Sequence, residues 1–277
     1  MRNQEQREAV YVSSSDKIFF SEYRRHEPLD AIERAARLDP ETVILNKFED
    51  RAYNRTRFTL VSYVVHDSRV SAIYSPLQQT VLTMVEAAYG TINLALHSCM
   101  HPRLGAVDDI VLHPLARASL DEAAWLAKAI AADIGHRFQV FLYGAAHPTG
   151  KALDNIRREL GYYRPNFMGN QWAGWALPEV LSVKPDEGPT RVSRARGITM
   201  IRACPWVGLY NVPIMSTDVS VARRIARMVS ARRGGLLMVE MLAAQDGLDV
   251  KQGYFTDSSP EMILHKYLNL ISADRAS

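Results

Sequence analysis

The chain has 277 residues, 47% apolar and 23% charged, which excludes a disordered chain and allows the core of one or two domains. Its 33 basic and 30 acidic residues leave a net charge of +3, too balanced to indicate a nucleic-acid partner, although a mildly basic surface favours anionic small molecules. The two cysteines, Cys99 and Cys204, give no disulfide framework, and no apolar run reaches the length of a membrane span.

The elements alternate between helix and strand. Pro28 stands at a first-turn position and predicts a helix through Leu38. Residues 42–45 and 58–65 read as strands, the second rich in Val, Leu and aromatic residues. Residues 78–97 place Val81, Leu82, Val85, Ala88 and Ile92 at the spacing of a buried helix face. A strand follows from Ala106 through Leu112. Ser119-Leu120-Asp121-Glu122 is a capping box heading a helix to about Ile134. Residues 138–143 are the next strand, and 151–160 a short helix ended by Gly161. The stretch 162–189, with Pro165, Pro178, Pro185 and Pro189, reads as a connection. The pattern then restarts with strands at 198–203 and 207–214 and a basic amphipathic helix at 218–232, stopped by Gly234-Gly235. Strands at 236–242 and 253–256 follow, and Ser259-Pro260 starts a last helix. The expected fold is α+β: two ferredoxin-like-type α/β sandwich subdomains, residues 1–183 and 184–277, each a mixed sheet with helices on one face.

The chemistry concentrates between His97 and Asp108, where two histidines, an arginine, a thiol and a carboxylate fall at the end of an apolar helical run. Pro102 disfavours the α region for the residue before it, so His101 should leave the helix that carries His97 and sit on an extended corner facing a cleft. An imidazole there suits acid–base work, because its ordinary pKa lies near neutrality; the competing reading is a histidine that caps its own helix. His97, Cys99, His101 and His113 invite a zinc site, but Pro102 breaks the register and neither H-E-x-x-H nor paired C-x-x-C is present, so no metal is expected. Arg191, Arg194 and Arg196 read, by themselves, as a solvated basic loop.

The same residues carry a resemblance. His101-Pro102-Arg103-Leu104-Gly105-Ala106-Val107-Asp108 resembles the His-Pro-Arg-hydrophobic-Gly-Ala-hydrophobic-Asp run of the formiminotransferase family. Phe20-Ser21-Glu22, Asn54-Arg55-Thr56, Val140-Phe141-Leu142-Tyr143-Gly144, Pro185-Asp186-Glu187-Gly188-Pro189 and Tyr210-Asn211-Val212 resemble further family motifs in the same order. Asn46-Lys47-Phe48-Glu49-Asp50, Leu160-Gly161-Tyr162-Tyr163 and Gly253-Tyr254-Phe255-Thr256-Asp257 are similar to the plant branch, the formiminotransferase-cyclodeaminase-like proteins. Nothing resembles the cyclodeaminase domain.

The resemblance implies a transferase that moves a formimino group between N-formiminoglutamate, or a related donor, and tetrahydrofolate. Tetrahydrofolate would be co-substrate. His101 would be the general acid/base, Arg103 would hold an anionic substrate or orient its loop, and Asn54 and Arg55 would bind a carboxylate or support the turn into the strand. The folate-binding loop would be Gly188-Pro189-Thr190-Arg191-Val192-Ser193-Arg194-Ala195-Arg196-Gly197, its arginines pairing with a glutamate tail. The expected partners are small molecules, with neither nucleic acid nor membrane, and a homodimer is compatible with the likeness. The polar, charged residues 1–9 do not read as a secretory signal, and a cytoplasmic location is expected. Two departures favour the alternative, a folate-binding or protein-interaction relative without transfer. Cys99-Met100 stands where animal relatives have Gly-Glu, and between Gln245 and Lys251 the chain lacks a strand and helix, so the second subdomain is shortened.

Overall fold

The first strand, β1 (Tyr11–Phe20), reads YVSSSDKIFF, with too many serines and charges to announce a strand, yet it lies near the middle of the main sheet. The structure, a computed structural model, describes residues 11–51, 53–67, 72–99, 102–115, 117–162, 172–173, 177–206, 211–213, 218–229, 242–243 and 249–251. Two compact units divide at Cys204 and Pro205.

In the first unit, β1 is followed by α1 (His26–Ala36), β2 (Val43–Asp50), β3 (Arg55–Asp67), the short β4 (Ala72–Tyr74) and α2 (Pro76–Thr91). Then come β5 (Ser98–Cys99), β6 (Val107–Pro114), α3 (Leu120–Gly135), β7 (Val140–Gly144), α4 (Leu153–Glu159), β8 (Trp172–Ala173) and β9 (Thr199–Ala203). The main sheet runs β2-β3-β1-β6-β9-β7, with β4 on β3. Its first four strands pair antiparallel in the split βαβ order, and β9 joins β6 and β7 in parallel. The sheet is therefore mixed and the fold is α+β.

Strand alternation divides the sheet faces. Ile18, Phe20, Phe58, Leu60, Ile110 and Leu112 share a fully buried face with Ile32 of α1, Val81 and Met84 of α2, and Leu126 and Ile130 of α3. The opposite face carries a row Arg57-Phe19-Asp109-Met200-Phe141 and, beside it, a row Thr59-Lys17-Val111-Arg202-Tyr143. Phe141, Tyr143 and Met200 of that face pack with Ile156 and Leu160 of α4 and with Leu177, Leu181 and Val192.

Local signals explain the helix ends. Ser119 accepts from the Glu122 amide at 3.1 Å, and the Glu122 carboxylate accepts from the Ser119 amide at 2.7 Å, the expected capping box, a feature that contributes about 1 kcal/mol. Ser75 accepts from the Leu77 amide at 3.3 Å, ahead of Pro76 in the first turn of α2. That helix ends at Thr91, not at His97 as its apolar spacing suggests. Ile92 is extended, and the Asn93 side chain accepts from the Ala95 amide at 3.1 Å, starting a separate 3₁₀ turn at Leu94–Leu96. A short Asx side chain competes with the helix for backbone donors, and the helical spacing did not register it.

The second unit holds β10 (Asn211–Pro213), α5 (Val219–Val229), β11 (Leu242–Ala243) and β12 (Asp249–Lys251), its antiparallel sheet ordered β10-β12-β11. The predicted helix at 218–232 corresponds to α5. The strand expected at 253–256 and the helix after Ser259 lie outside the described residues, as do 244–248.

Asp16 is the misfit of the core. It is fully buried on the face of Ile18 and Phe20, opposite Leu60 and Leu112. Burial pushes its carboxyl well above the usual range, Asp109 adds to this, and the amides of Val111 and Lys17 offset only part. A raised carboxylate stabilises the fold below its unfolded pKa and loses that stability as pH rises through the folded value. Asp16→Val is therefore expected to stabilise the protein by about 1–3 kcal/mol at pH 8 and by less at pH 5, read from urea midpoints; equal midpoints at pH 8 would refute the burial argument.

Candidate functional site

Three segments distant in sequence meet at one end of the main sheet. Glu22 closes the turn after β1: its Oε1 accepts from the amides of Tyr23, Arg24 and Arg25 at 3.0, 2.9 and 3.1 Å, and its Oε2 pairs with the Arg25 guanidinium at 2.7 Å. Asn54, at the start of β3, adopts a left-handed φ of 46°, a conformation asparagine tolerates better than most residues. Its Oδ1 accepts from the Tyr23 amide at 2.9 Å and the Arg24 amide at 3.3 Å. Its Nδ2 lies 3.3 Å from His97 Nδ1 and 3.4 Å from the Ser98 carbonyl. Thr56 donates to the Glu22 carbonyl at 2.7 Å, and Ser21 donates to the Gly105 carbonyl at 2.6 Å.

His97 is buried and extended, beyond the 3₁₀ turn rather than on α2. Its Nε2 lies 3.1 Å from Cys99 Sγ. Burial, then Arg103, Arg24 and Arg25, pull the imidazole down to about 3, against an opposing hydrogen bond to the Ser21 backbone. The ring is therefore neutral near pH 7. His101 lies outside the described residues, with Cys99 and Pro102 described on either side. Arg103 is fully buried and donates to the carbonyls of Pro102 and Tyr53, each at 2.9 Å. Arg55 lies over the rings of Phe19 and Tyr53, at 5.1 and 5.5 Å. Burial, then Arg103, lower it to about 10, with Asp108, Tyr162 and Asp50 opposing, so it stays cationic at neutral pH. Asp108 accepts from the Leu104 amide at 2.9 Å and fixes the turn into β6.

The 188–197 segment ends at the same place. The Leu94 amide donates to the Ala195 carbonyl at 2.9 Å and the Ala106 amide to the Arg196 carbonyl at 2.7 Å, so the loop is tied to the chain on both sides of the His-Pro-Arg corner. Arg191 and Arg194 are exposed, and Arg194 pairs with Glu179 at 3.1 Å; Arg196 donates to the Ile92 carbonyl at 3.4 Å. Gly188 is left-handed at φ 91°, and a Cβ there would lie 2.1 Å from the Phe138 carbonyl oxygen.

A second, buried polar group lies on the sheet face opposite the three helices. Tyr143 donates to both oxygens of Asp109, at 2.9 and 2.8 Å, and Arg202 lies 5.3 Å from the Tyr143 ring. Burial raises Asp109 to about 6, with Arg202, Arg157 and Tyr143 opposing. Lys17, in the neighbouring row, is lowered to about 8, first by burial and then by Arg57. Alternation within β6, β7 and β9 does not bring Asp109, Tyr143 and Arg202 together; the parallel pairing of β9 between β6 and β7 does. Among the described residues no cluster of three or more His, Cys, Asp or Glu could hold a metal ion, and no helix is long and apolar enough to cross a membrane.

A split βαβ sheet with a His-Pro-Arg corner sewn to a glycine-bounded loop defines a class, and the comparisons agree with it. The formiminotransferase domain, N-terminal subdomain, matches residues 15–204. A formiminotransferase cyclodeaminase-like protein of Arabidopsis thaliana is 40% identical over 291 residues, spanning 92% of this chain and 96% of that protein. A glutamate formimidoyltransferase of Streptococcus pyogenes serotype M1 is 25% identical over 223 residues, 78% of this chain and 67% of that one. A formimidoyltransferase-cyclodeaminase of Sus scrofa is 29% identical over 212 residues; the match spans 75% of this chain but only 35% of that longer protein. The chain belongs to the formiminotransferase family.

The Tyr143 hydroxyl favours the Asp109 carboxylate, so removing it must make that acid weaker. Carbon-13 titration should find Asp109 near pH 6 in the wild type and higher in Tyr143→Phe; a fall, or no change, would show that the hydroxyl does not donate to it.

Proposed function

We propose that the chain is a folate-dependent one-carbon transferase that moves a formimino group between N-formiminoglutamate, or a related donor, and tetrahydrofolate. The observation that carries this reading is the convergence of Ser21-Glu22, Asn54, His97, Ser98 and Arg103, with the 188–197 loop bonded to Leu94 and Ala106 on either side of them. In this reading the folate amine attacks the formimino carbon and a tetrahedral intermediate forms. The carbon–nitrogen bond to glutamate then breaks. His101 accepts the proton of the attacking amine and returns one to the departing glutamate nitrogen. Arg55 and Arg103 keep the corner cationic and favour a carboxylate-bearing substrate. The arginines of the 188–197 loop would meet the glutamate tail of the folate, which is the co-substrate; no metal is required.

The shortening between Gln245 and Lys251 favours a second reading, a folate-binding relative without transfer. Transfer assays with formiminoglutamate, paired with tetrahydrofolate binding by calorimetry, separate the two. His101→Ala is expected to lower turnover by about a hundredfold while leaving folate affinity nearly unchanged. Binding without turnover in the wild type would establish the second reading, and neither binding nor turnover would refute both.

The loop makes its own prediction. Changing Arg191, Arg194 and Arg196 together to Ala should weaken binding of a polyglutamylated folate more than of its monoglutamate, and salt should narrow the gap. Equal losses for the two ligands would mean that the loop does not meet the tail.

A further inference from the structure

We propose that Asn54 and His97 are positioning residues: the Asn54 amide fixes the tautomer of His97, and the ring, by donating to Cys99, holds β5, which ends two residues before His101. The proposal rests on the reading of His101 as the acid–base group and deepens it.

The argument begins with an amide that can face only one way. The Asn54 Oδ1 stands 2.9 Å from the Tyr23 amide and 3.3 Å from the Arg24 amide, and both are N–H donors that need an oxygen. The Nδ2 end must therefore face His97 Nδ1, 3.3 Å away. An amide NH₂ donates and cannot accept, so Nδ1 carries a lone pair. The single ring proton is then on Nε2, which faces Cys99 Sγ at 3.1 Å. The charged groups acting on the ring are Arg103, Arg24 and Arg25, all cations, and the ring is buried. Each opposes a second proton, and the Ser21 backbone carbonyl, which favours one, does not offset them, so the ring stays neutral and its tautomer is set by Asn54.

Two bonds from this pair land on the two residues of β5. Asn54 Nδ2 donates to the Ser98 carbonyl and His97 Nε2 to Cys99 Sγ, while β5 pairs with β8 as Ser98 to Ala173 and Cys99 to Trp172. Only Met100 separates Cys99 from His101. His101 follows β5 by two residues, and misplacement of a reacting group by about 1 Å costs on the order of a hundredfold in rate.

The variants differ in what they retain. His97→Gln can accept from Asn54 and donate to the sulfur; His97→Ala can do neither. Asn54→Asp keeps the acceptor for Tyr23 and Arg24 but sets a carboxylate against Nδ1, which favours a proton on both ring nitrogens. Nitrogen-15 spectra of the full chain should show His97 as a neutral Nε2–H ring from about pH 5 to about pH 8, and as imidazolium at the acid end of that range in Asn54→Asp. A wild-type ring protonated at Nδ1, or titrating near its ordinary value, overturns the proposal. Amide exchange at Ser98 and Cys99 should quicken in His97→Ala and return in His97→Gln; equal exchange in all three overturns it as well. In an active enzyme, His97→Ala should lower kcat by about tenfold with little change in KM, His97→Gln should recover most of the loss, and Asn54→Asp should add an acid limb to the pH profile. A wild type without transfer would remove the transferase reading alone, since the spectra and the exchange decide the role of Asn54 and His97 without it.

Discussion

Two backbone segments approach so closely at Gly105 and Gly197 that neither position has room for a side chain. A Cβ at Gly105 would lie 1.9 Å from the Ile198 carbonyl oxygen, and one at Gly197, itself left-handed at φ 69°, would lie 2.1 Å from that of Leu104. The gap is closed by bonds from the Ile198 amide to the Leu104 carbonyl at 2.8 Å and from the Ala106 amide to the Arg196 carbonyl at 2.7 Å. From this contact β9 sets off in parallel beside β6, the 188–197 loop ends, and the His-Pro-Arg corner turns into its strand. Separating the two glycines would part the sheet from the loop and the loop from the corner together.

Among the described contacts of the corner, two cations lie against neutral partners. Arg103 donates to two backbone carbonyls and Arg55 lies against two rings. Such contacts leave the guanidinium charge in place. The positive potential that remains acts on neighbours in opposite ways. It disfavours a second proton on His97 and would favour an anion brought to the corner. At Asp109 the balance differs: burial raises the acid to about 6, while Arg202, Arg157 and the Tyr143 hydroxyl restrain it.

Much of the first unit was legible in the chain. The capping box at Ser119, the glycine after α4, and the strands β3, β6, β7 and β9 all follow from residue types whose preferences are local. β1 was not legible, because its serines, Asp16 and Lys17 weaken the apolar alternation that marks a strand, and its place is set by pairing with β3 and β6 instead. The end of α2 was misplaced for the opposite reason: apolar spacing continues past Thr91, while Asn93 redirects the backbone.

The sequence by itself determined the family motifs, the longer helices and strands from α1 onward, and the residue types gathered near the His-Pro-Arg run. Short-range chemistry was enough for that, since caps, prolines and glycines act within a few residues of themselves. Only the tertiary structure decided that Asn54 faces His97 across 43 positions, that Tyr143 meets Asp109 across 34, and that the 188–197 loop is bonded to both sides of the corner. These contacts depend on strand order and register. Those are set by burying one face of the sheet against three helices, a condition that no single segment of the chain contains.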